Sequence, residues 1–442
     1  MRSSATLRFV SQVLESITTF ALLGFVFTGL TVMSAHAQSQ IKHVIIIFQE
    51  NRTPDNMFHG FPGADIANSG TNSDGKKITL EPITIEGGYD LSHGHDDFLN
   101  EYDGGKMDGA NKIGVICQKG QHHCSPANPQ FKYVDPSELG PYFQMGEEYV
   151  FGDRMFQTNQ GPSFPAHQFI IAGTSAPTET SDLFDETNVH GAIGGEVGCF
   201  AAAGAYVSLI DPQGGDKQTM YPCFEHQTLA DLLDNAGVSW RYYTSSKTGG
   251  WTGPNAIYHL VHGADWSNVI QNPSAILTDI SKKRLAGVSW VTPTWQESDH
   301  SDFNKGLGPS WVASIVNAVG GSAYWSDTAI FVTWDDWGGW YDHVAPTIYN
   351  SYEYGLRVPL IVISPYAKQA YVSHVTHDFG SILHFTEEVF NLPSLGFADS
   401  RADDMSDCFQ FAEPHKFHRI QAPYDEHYFV THKFSPGSVD DD

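Results

Sequence analysis

Three apolar runs in this chain end in residues able to hold a cation. His43–Gln49 (HVIIIFQ) is followed by Glu50 and Asn51, and residues 329–334 (AIFVTW) by Asp335 and Asp336. Residues 287–292 (GVSWVT) lead through Glu297 and Asp299 to His300. Carboxylate and amide oxygens with some imidazole suit Mg²⁺, Ca²⁺, Mn²⁺ or Zn²⁺ rather than a copper or thiolate centre. One acid after one strand is commonly a capping or solvated group, but several delivered to one edge make a site. A nucleophile candidate is Ser163, in Gly161-Pro162-Ser163-Phe164-Pro165-Ala166-His167. Pro165 suits the first turn of a helix continued by the apolar residues 168–172 (QFIIA), which sets Ser163 near a helix N-terminus. N–H groups there favour a phosphate or alkoxide, although a plain capping serine would look the same. A cation beside the hydroxyl would lower its pKa. Acidic ligands with such a serine point to metal-assisted phosphoryl transfer.

These groups converge only if their strands end at a common edge. The runs named above, with residues 358–364 (VPLIVIS) and the shorter 239–244 (SWRYYT), lack polar alternation and read as strands buried on both faces. Helical spacing marks residues 228–235, closed by Gly237, and the stretches containing Trp311–Val319 and Phe379–Phe390. Strands separated by helices predict an α/β three-layer sandwich with a mostly parallel central sheet, whose ligands collect at the carboxyl ends of the strands. Residues 60–88, 101–140 and 174–222 read as long loop insertions over the active-site edge. No repeat or Pro-rich linker divides residues 38–442, which are expected to form a single catalytic domain.

Composition narrows the remaining classes. The 442 residues are 41% hydrophobic and 13% aromatic, enough for a large core. Against 24 Lys and Arg stand 51 Asp and Glu, a net charge of −27 that repels phosphate backbones and excludes general nucleic-acid binding. Arg2 and Arg8 precede an uncharged run over 17–33 and then Ala35-His36-Ala37. That is the pattern of a signal peptide, residues 1–37, with export to the periplasm or medium. The run is short for a membrane span of about 20 residues, and no twin-arginine pair is present. In an oxidising compartment, Cys117–Cys124 and Cys199–Cys223 are the expected disulfides, with Cys408 left over. The alternative, a zinc site from Cys117, His122, His123 and Cys124, lacks a second ligand pair at finger-like spacing.

Five segments carry a resemblance. Glu50-Asn51-Arg52-Thr53-Pro54-Asp55 resembles the ENRSFD signature of the bacterial phospholipase C/acid phosphatase family of phosphoesterases. Asp90-Leu91-Ser92-His93 is similar to its D-x-x-H element, and Pro162-Ser163-Phe164-Pro165 to its T-x-P-N-R nucleophile element. Residues 333–344 (TWDDWGGWYDHV) resemble its T-x-D-E-x-G-G-x-Y-D-H-V block. Gly355-Leu356-Arg357-Val358-Pro359 with Ser364-Pro365 resembles its G-x-R-V-P…SP strand, so the likeness spans about residues 41 to 411.

The resemblance implies an alkaline-phosphatase-like fold, with Glu50, Asn51, Ser163, Asp335 and Asp336 as ligands of a divalent metal ion. Ser163 stands at the nucleophile position. His93, His300 and His343 are expected around the phosphoryl group and leaving oxygen, with His95 as an alternative match to His93. Three departures stand out: Asp336 for Glu, Ala166-His167 for Asn-Arg, and Thr53-Pro54 for Ser-Phe. The chain is also expected to lack the long C-terminal extensions of larger bacterial phospholipases C.

The activity implied is phospholipase C-type hydrolysis of a phospholipid through a phosphoseryl intermediate, with transient membrane-surface contact at most. An acid phosphatase acting on phosphomonoesters, and a non-catalytic metal- or ligand-binding protein of the same fold, are the alternatives. Trp334, Trp337 and Trp340 read either as core or as contacts for lipid or a choline cation. Head group, metal identity and oligomeric state stay open.

Overall fold

The run His43–Gln49 forms strand β1, buried from Val44 onward, inside an eight-stranded sheet of the computed structural model. The residues described are 40–432 apart from 118–120, 122–123, 303 and 413. The expected signal peptide and the pair His122 and His123 lie outside the described residues. The other strands of this sheet are β2 Val150–Gly152, β3 Trp240–Thr244, β4 Val269–Gln271, β5 Val288–Val291, β6 Thr328–Trp334, β7 Leu360–Ile363 and β8 Tyr371–Ser373. Their order is β4-β3-β5-β1-β6-β7-β2-β8. All run parallel except β7, which is antiparallel to both β6 and β2. The central strands carry β-branched and aromatic residues on both faces because both faces are covered.

The helices that cover them are α1 Pro54–Met57, α2 His95–Tyr102, α3 Gly140–Glu148, α4 Ser163–Ala172, α5 Leu229–Ala236, α6 Ala275–Ser281, α7 Gly308–Gly320, α8 Phe379–Phe390 and α9 Glu426–Thr431. Helices α4, α5 and α8 pack together in one layer, and α3, α6, α7 and α9 in another. Alternation along the strands separates the two layers. Phe48 meets Phe379 of α8 edge-on at 5.6 Å, whereas Trp334, in register with Gln49 on the other face, meets Tyr142 of α3 at 5.2 Å. The three-layer α/β sandwich is therefore observed. Local signals set its ends: Thr228 and Asp231 form a capping box at α5, and Gly237, at φ 70°, stops it.

The insertions hold more order than their sequence shows. Within residues 174–222, Phe184–Asp185, Val207–Ile210 and Asp216–Met220 form a three-stranded antiparallel sheet. Disulfides join Cys117 to Cys124 and Cys199 to Cys223, and Cys408 is buried and free. The first bond consumes the two thiolates that a zinc site in that loop would need, so the zinc alternative falls. Among the described residues, no helix is long and apolar enough to cross a membrane.

Candidate active site

Strands β1 and β6 end side by side, with Gln49 opposite Trp334, so Glu50-Asn51 and Asp335-Asp336 leave the sheet together. Two backbone donors lock the pair: Asp335 N–H to Gln49 O at 3.0 Å, and Asn51 N–H to Asp335 Oδ1 at 3.1 Å. Asn51 takes a left-handed conformation, φ 62°, which asparagine tolerates. Gly338, at φ 64°, passes so close that a Cβ there would meet Asn51 O at 2.3 Å. Asn51 Nδ2 donates to His93 Nε2 at 2.9 Å, and its Oδ1 faces Glu50 Oε2 (3.1 Å) and Asp335 Oδ1 (3.3 Å), an arrangement of three oxygens that a cation among them would hold.

Helix α4 brings the remaining groups. Ser163 is its first residue, after the N-cap Pro162, and its Oγ donates to Asp336 Oδ2 at 3.1 Å. His93 Nε2 lies 3.8 Å from the same oxygen. One turn along α4, on the face of Ser163, stands His167. Its Nε2 is 3.5 Å from Glu50 Oε1 and 3.7 Å from Asp335 Oδ2. Tyr242 Oη donates to Trp251 O and accepts from His167 Nδ1–H, which turns the Nε2 lone pair toward the two acids. Glu50, His167 and Asp335 offer ligand atoms within 4.8 Å of one another, all on buried residues. Asp335 Oδ2 is buried without a hydrogen bond. Burying Glu50, Asp335 and Asp336 together is costly unless positive charge joins them, and an imidazole lone pair aimed between two carboxylates suits a divalent cation. His167 escaped the sequence reading as a ligand. Its signal was present in the four-residue spacing from Ser163.

The three candidate histidines separate. His93 and His300 are neighbours, ring centroids 6.4 Å apart, and the His300 ring lies tilted against Trp295 at 4.7 Å with Nε2 3.9 Å from Asp90 Oδ2. His343 does not join them. Its Nδ1 and Nε2 donate to Asp55 Oδ2 (2.8 Å) and Asp65 Oδ1 (3.0 Å), and none of Glu50, Asn51, Ser163, Asp335 and Asp336 is among its partners. Burial pulls its pKa down, but Asp55 outweighs that and the value is pushed up to about 9. Beside it, Asp342 takes a two-pronged bond from Arg357, Nε and Nη2 each at 2.9 Å. The first, fourth and fifth of the resembling segments thus meet in a buried ion cluster that braces the rim.

The remaining candidates also find places. His95 Nδ1–H donates to Gln160 O at 2.7 Å, and the ring lines a cavity of 570 Å³ with Tyr102, Gln160, Pro162 and Asn188, beside the start of α4. Glu297 caps Thr294 and Asp299 accepts from Tyr142 Oη (2.7 Å) and Trp334 Nε1 (3.2 Å); burial pushes both carboxyls up to about 7. Trp334, Trp337 and Trp340 are fully buried, so they belong to the core and not to a lipid- or choline-facing surface. Thr53 caps α1 by accepting from Asn56 N–H, with Pro54 at the first position, which explains that departure as packing.

Comparison with known proteins gives the family. The sequence profile of the Phosphoesterase family matches residues 41–393. The non-hemolytic phospholipase C of Burkholderia pseudomallei is 24% identical over 85% of this chain and 59% of its own length. Phospholipase C B of Mycobacterium tuberculosis is 24% identical, over 85% of this chain and 79% of its own. The hemolytic phospholipase C of Pseudomonas aeruginosa is 22% identical over 84% of this chain and 56% of its own. The chain therefore spans less than two thirds of the Burkholderia and Pseudomonas proteins. Among solved structures, a Vibrio parahaemolyticus protein of the alkaline phosphatase superfamily aligns over 82% of this chain and 70% of its own at 10% identity and TM-score 0.36. A profile match over most of the chain, with serine and acids meeting at one sheet edge, places this protein in the phosphoesterase family.

Proposed function

We propose that this chain is an exported, metal-dependent phosphoesterase that hydrolyses phospholipid phosphodiesters in the manner of a phospholipase C. The observation that carries the reading is Ser163 Oγ at the first position of α4, 3.1 Å from Asp336 Oδ2 and next to the buried Glu50–Asn51–Asp335 group. Glu50, Asn51, Ser163, Asp335 and Asp336, with His167 added, are the residues that would hold a divalent cation. Its charge would lower the serine pKa and neutralise phosphate oxygens. An imidazole in the set favours Zn²⁺ or Mn²⁺ over Ca²⁺ or Mg²⁺.

Ser163 Oγ attacks phosphorus in line while its proton passes to Asp336. The bond to the departing alcohol breaks, and that oxygen takes a proton from the His93–His300 pair. Water then cleaves the phosphoseryl ester, releasing the phosphorylated product and returning the protons. The 570 Å³ cavity lined by His95, Gln160 and Pro162 lies beside the start of α4, and we read it as room for an organic substituent on the phosphate. The test is turnover of p-nitrophenyl-phosphorylcholine against p-nitrophenyl phosphate, with and without chelator. Preference for the diester, lost on chelation and restored by Zn²⁺ or Mn²⁺, is expected. Preference for the monoester would make the protein a phosphatase. Inertness toward both, and toward phospholipid vesicles, would leave a binding protein of the same fold.

A further inference from the structure

Away from the residues just described, the end of β8, the start of α8 and the turn Ser406–Cys408 bring together a second group of ligand types. We propose that His377, Asp407 and Cys408 form a separate metal site for a cation of the zinc class. The three ligand atoms make a triangle: His377 Nε2 to Asp407 Oδ1 is 3.5 Å, Asp407 Oδ1 to Cys408 Sγ is 3.6 Å, and Cys408 Sγ to His377 Nε2 is 3.9 Å. Zinc bonds of about 2.0–2.3 Å in a tetrahedron give ligand-to-ligand edges of about 3.3–3.7 Å, so the triangle is close to one face of that polyhedron. Small side-chain shifts close the difference.

The surroundings fit the same use. His377 and Cys408 are fully buried. His377 Nδ1 is hydrogen-bonded to Asp403, which fixes the tautomer and turns the Nε2 lone pair into the triangle. That carboxylate behind a histidine is the usual support of a zinc-bound imidazole. Ser373 Oγ, 3.2 Å from Nε2 and donating to Asp407 Oδ2 at 2.5 Å, stands at the remaining side. A sulfur, an imidazole and a carboxylate together select zinc-like cations over the hard ions that carboxylates alone would take. Cys408 is moreover the only one of the five cysteines outside a disulfide. Bound there, a cation would pin the segment around Asp403–Cys408 to the end of β8 and the foot of α8.

The absence of sulfur from the proposed active site makes the test specific. Full-length protein loaded with cobalt(II) is expected to show a thiolate-to-cobalt charge-transfer band in the near ultraviolet. Metal analysis should count one more equivalent per chain than in Cys408→Ser. That variant loses the band and the extra equivalent but keeps its phosphoesterase turnover. Asp407→Asn, which retains the thiol, weakens cobalt binding at this site by at least about tenfold. Absence of the band from folded, cobalt-saturated wild-type protein would overturn the proposal without any variant. Persistence of the band in Cys408→Ser would do the same.

Discussion

Ser163 and His167 share one face of α4, and their contacts assign them different work. Ser163 touches Asp336, whereas His167 faces Glu50 and Asp335. Ser163→Ala should therefore cut kcat by at least about 10³-fold with circular dichroism unchanged. His167→Ala should instead raise the metal concentration needed for half-maximal activity by about tenfold or more, with saturating metal restoring much of the rate. His343 belongs to stability. Its pKa is about 9 in the folded protein against 6.5 unfolded, so its contribution is complete below pH 6.5 and is lost as pH rises through about 9. Allowing for its partial exposure, the loss is about 1–2 kcal/mol, read from urea unfolding at several pH values. His343→Gln should flatten that slope. Residue types and spacing brought forward Glu50, Asn51, Ser163, Asp335, Asp336 and His300, and the family resemblance added His93 and His343. They did not separate His343 from that group, because a strong local motif shows that a residue matters and not which cluster it enters.

At the scale of elements, the site is two strand exits, one helix start and one turn that presses them together. Gly338 is the pressure point: a side chain there collides with Asn51 O and needs φ 64°. Gly338→Ala should destabilise the protein by about 1–3 kcal/mol and lower kcat, because the displaced backbone holds both ligand pairs. Thermal unfolding and turnover check the two halves separately. The long apolar strands were readable almost to the residue, His43–Gln49 in full. The three-residue strands β2, β4 and β8 were not, since three residues carry no periodicity. Nor was the direction of β7, because a wholly apolar strand reads the same in either sense. The loop sheet at 184–220 was hidden by its glycines and polar residues.

For the molecule as a whole, the net charge of −27 sets the terms of approach to a membrane. Vesicles rich in anionic lipid repel such a surface, and salt screens the repulsion over about 10 Å at 0.1 M. Turnover on anionic vesicles should therefore rise with added NaCl, while turnover on zwitterionic vesicles changes little; equal salt dependence on both would contradict this. The reversed strand β7 has its own consequence. Thr333 at the end of β6 pairs with Leu360 at the start of β7, so the chain leaves the sheet and returns to it on neighbouring strands at one edge, about 5 Å apart. Everything between those points, including Asp335, Asp336, Asp342, His343 and Arg357, is one excursion from that edge, tied down by the Arg357–Asp342 and His343–Asp55 bonds. The part of that excursion beyond Val344 is a natural unit of exchange: a longer or shorter version there would re-equip the rim while leaving Asp335, Asp336 and every strand threaded as before.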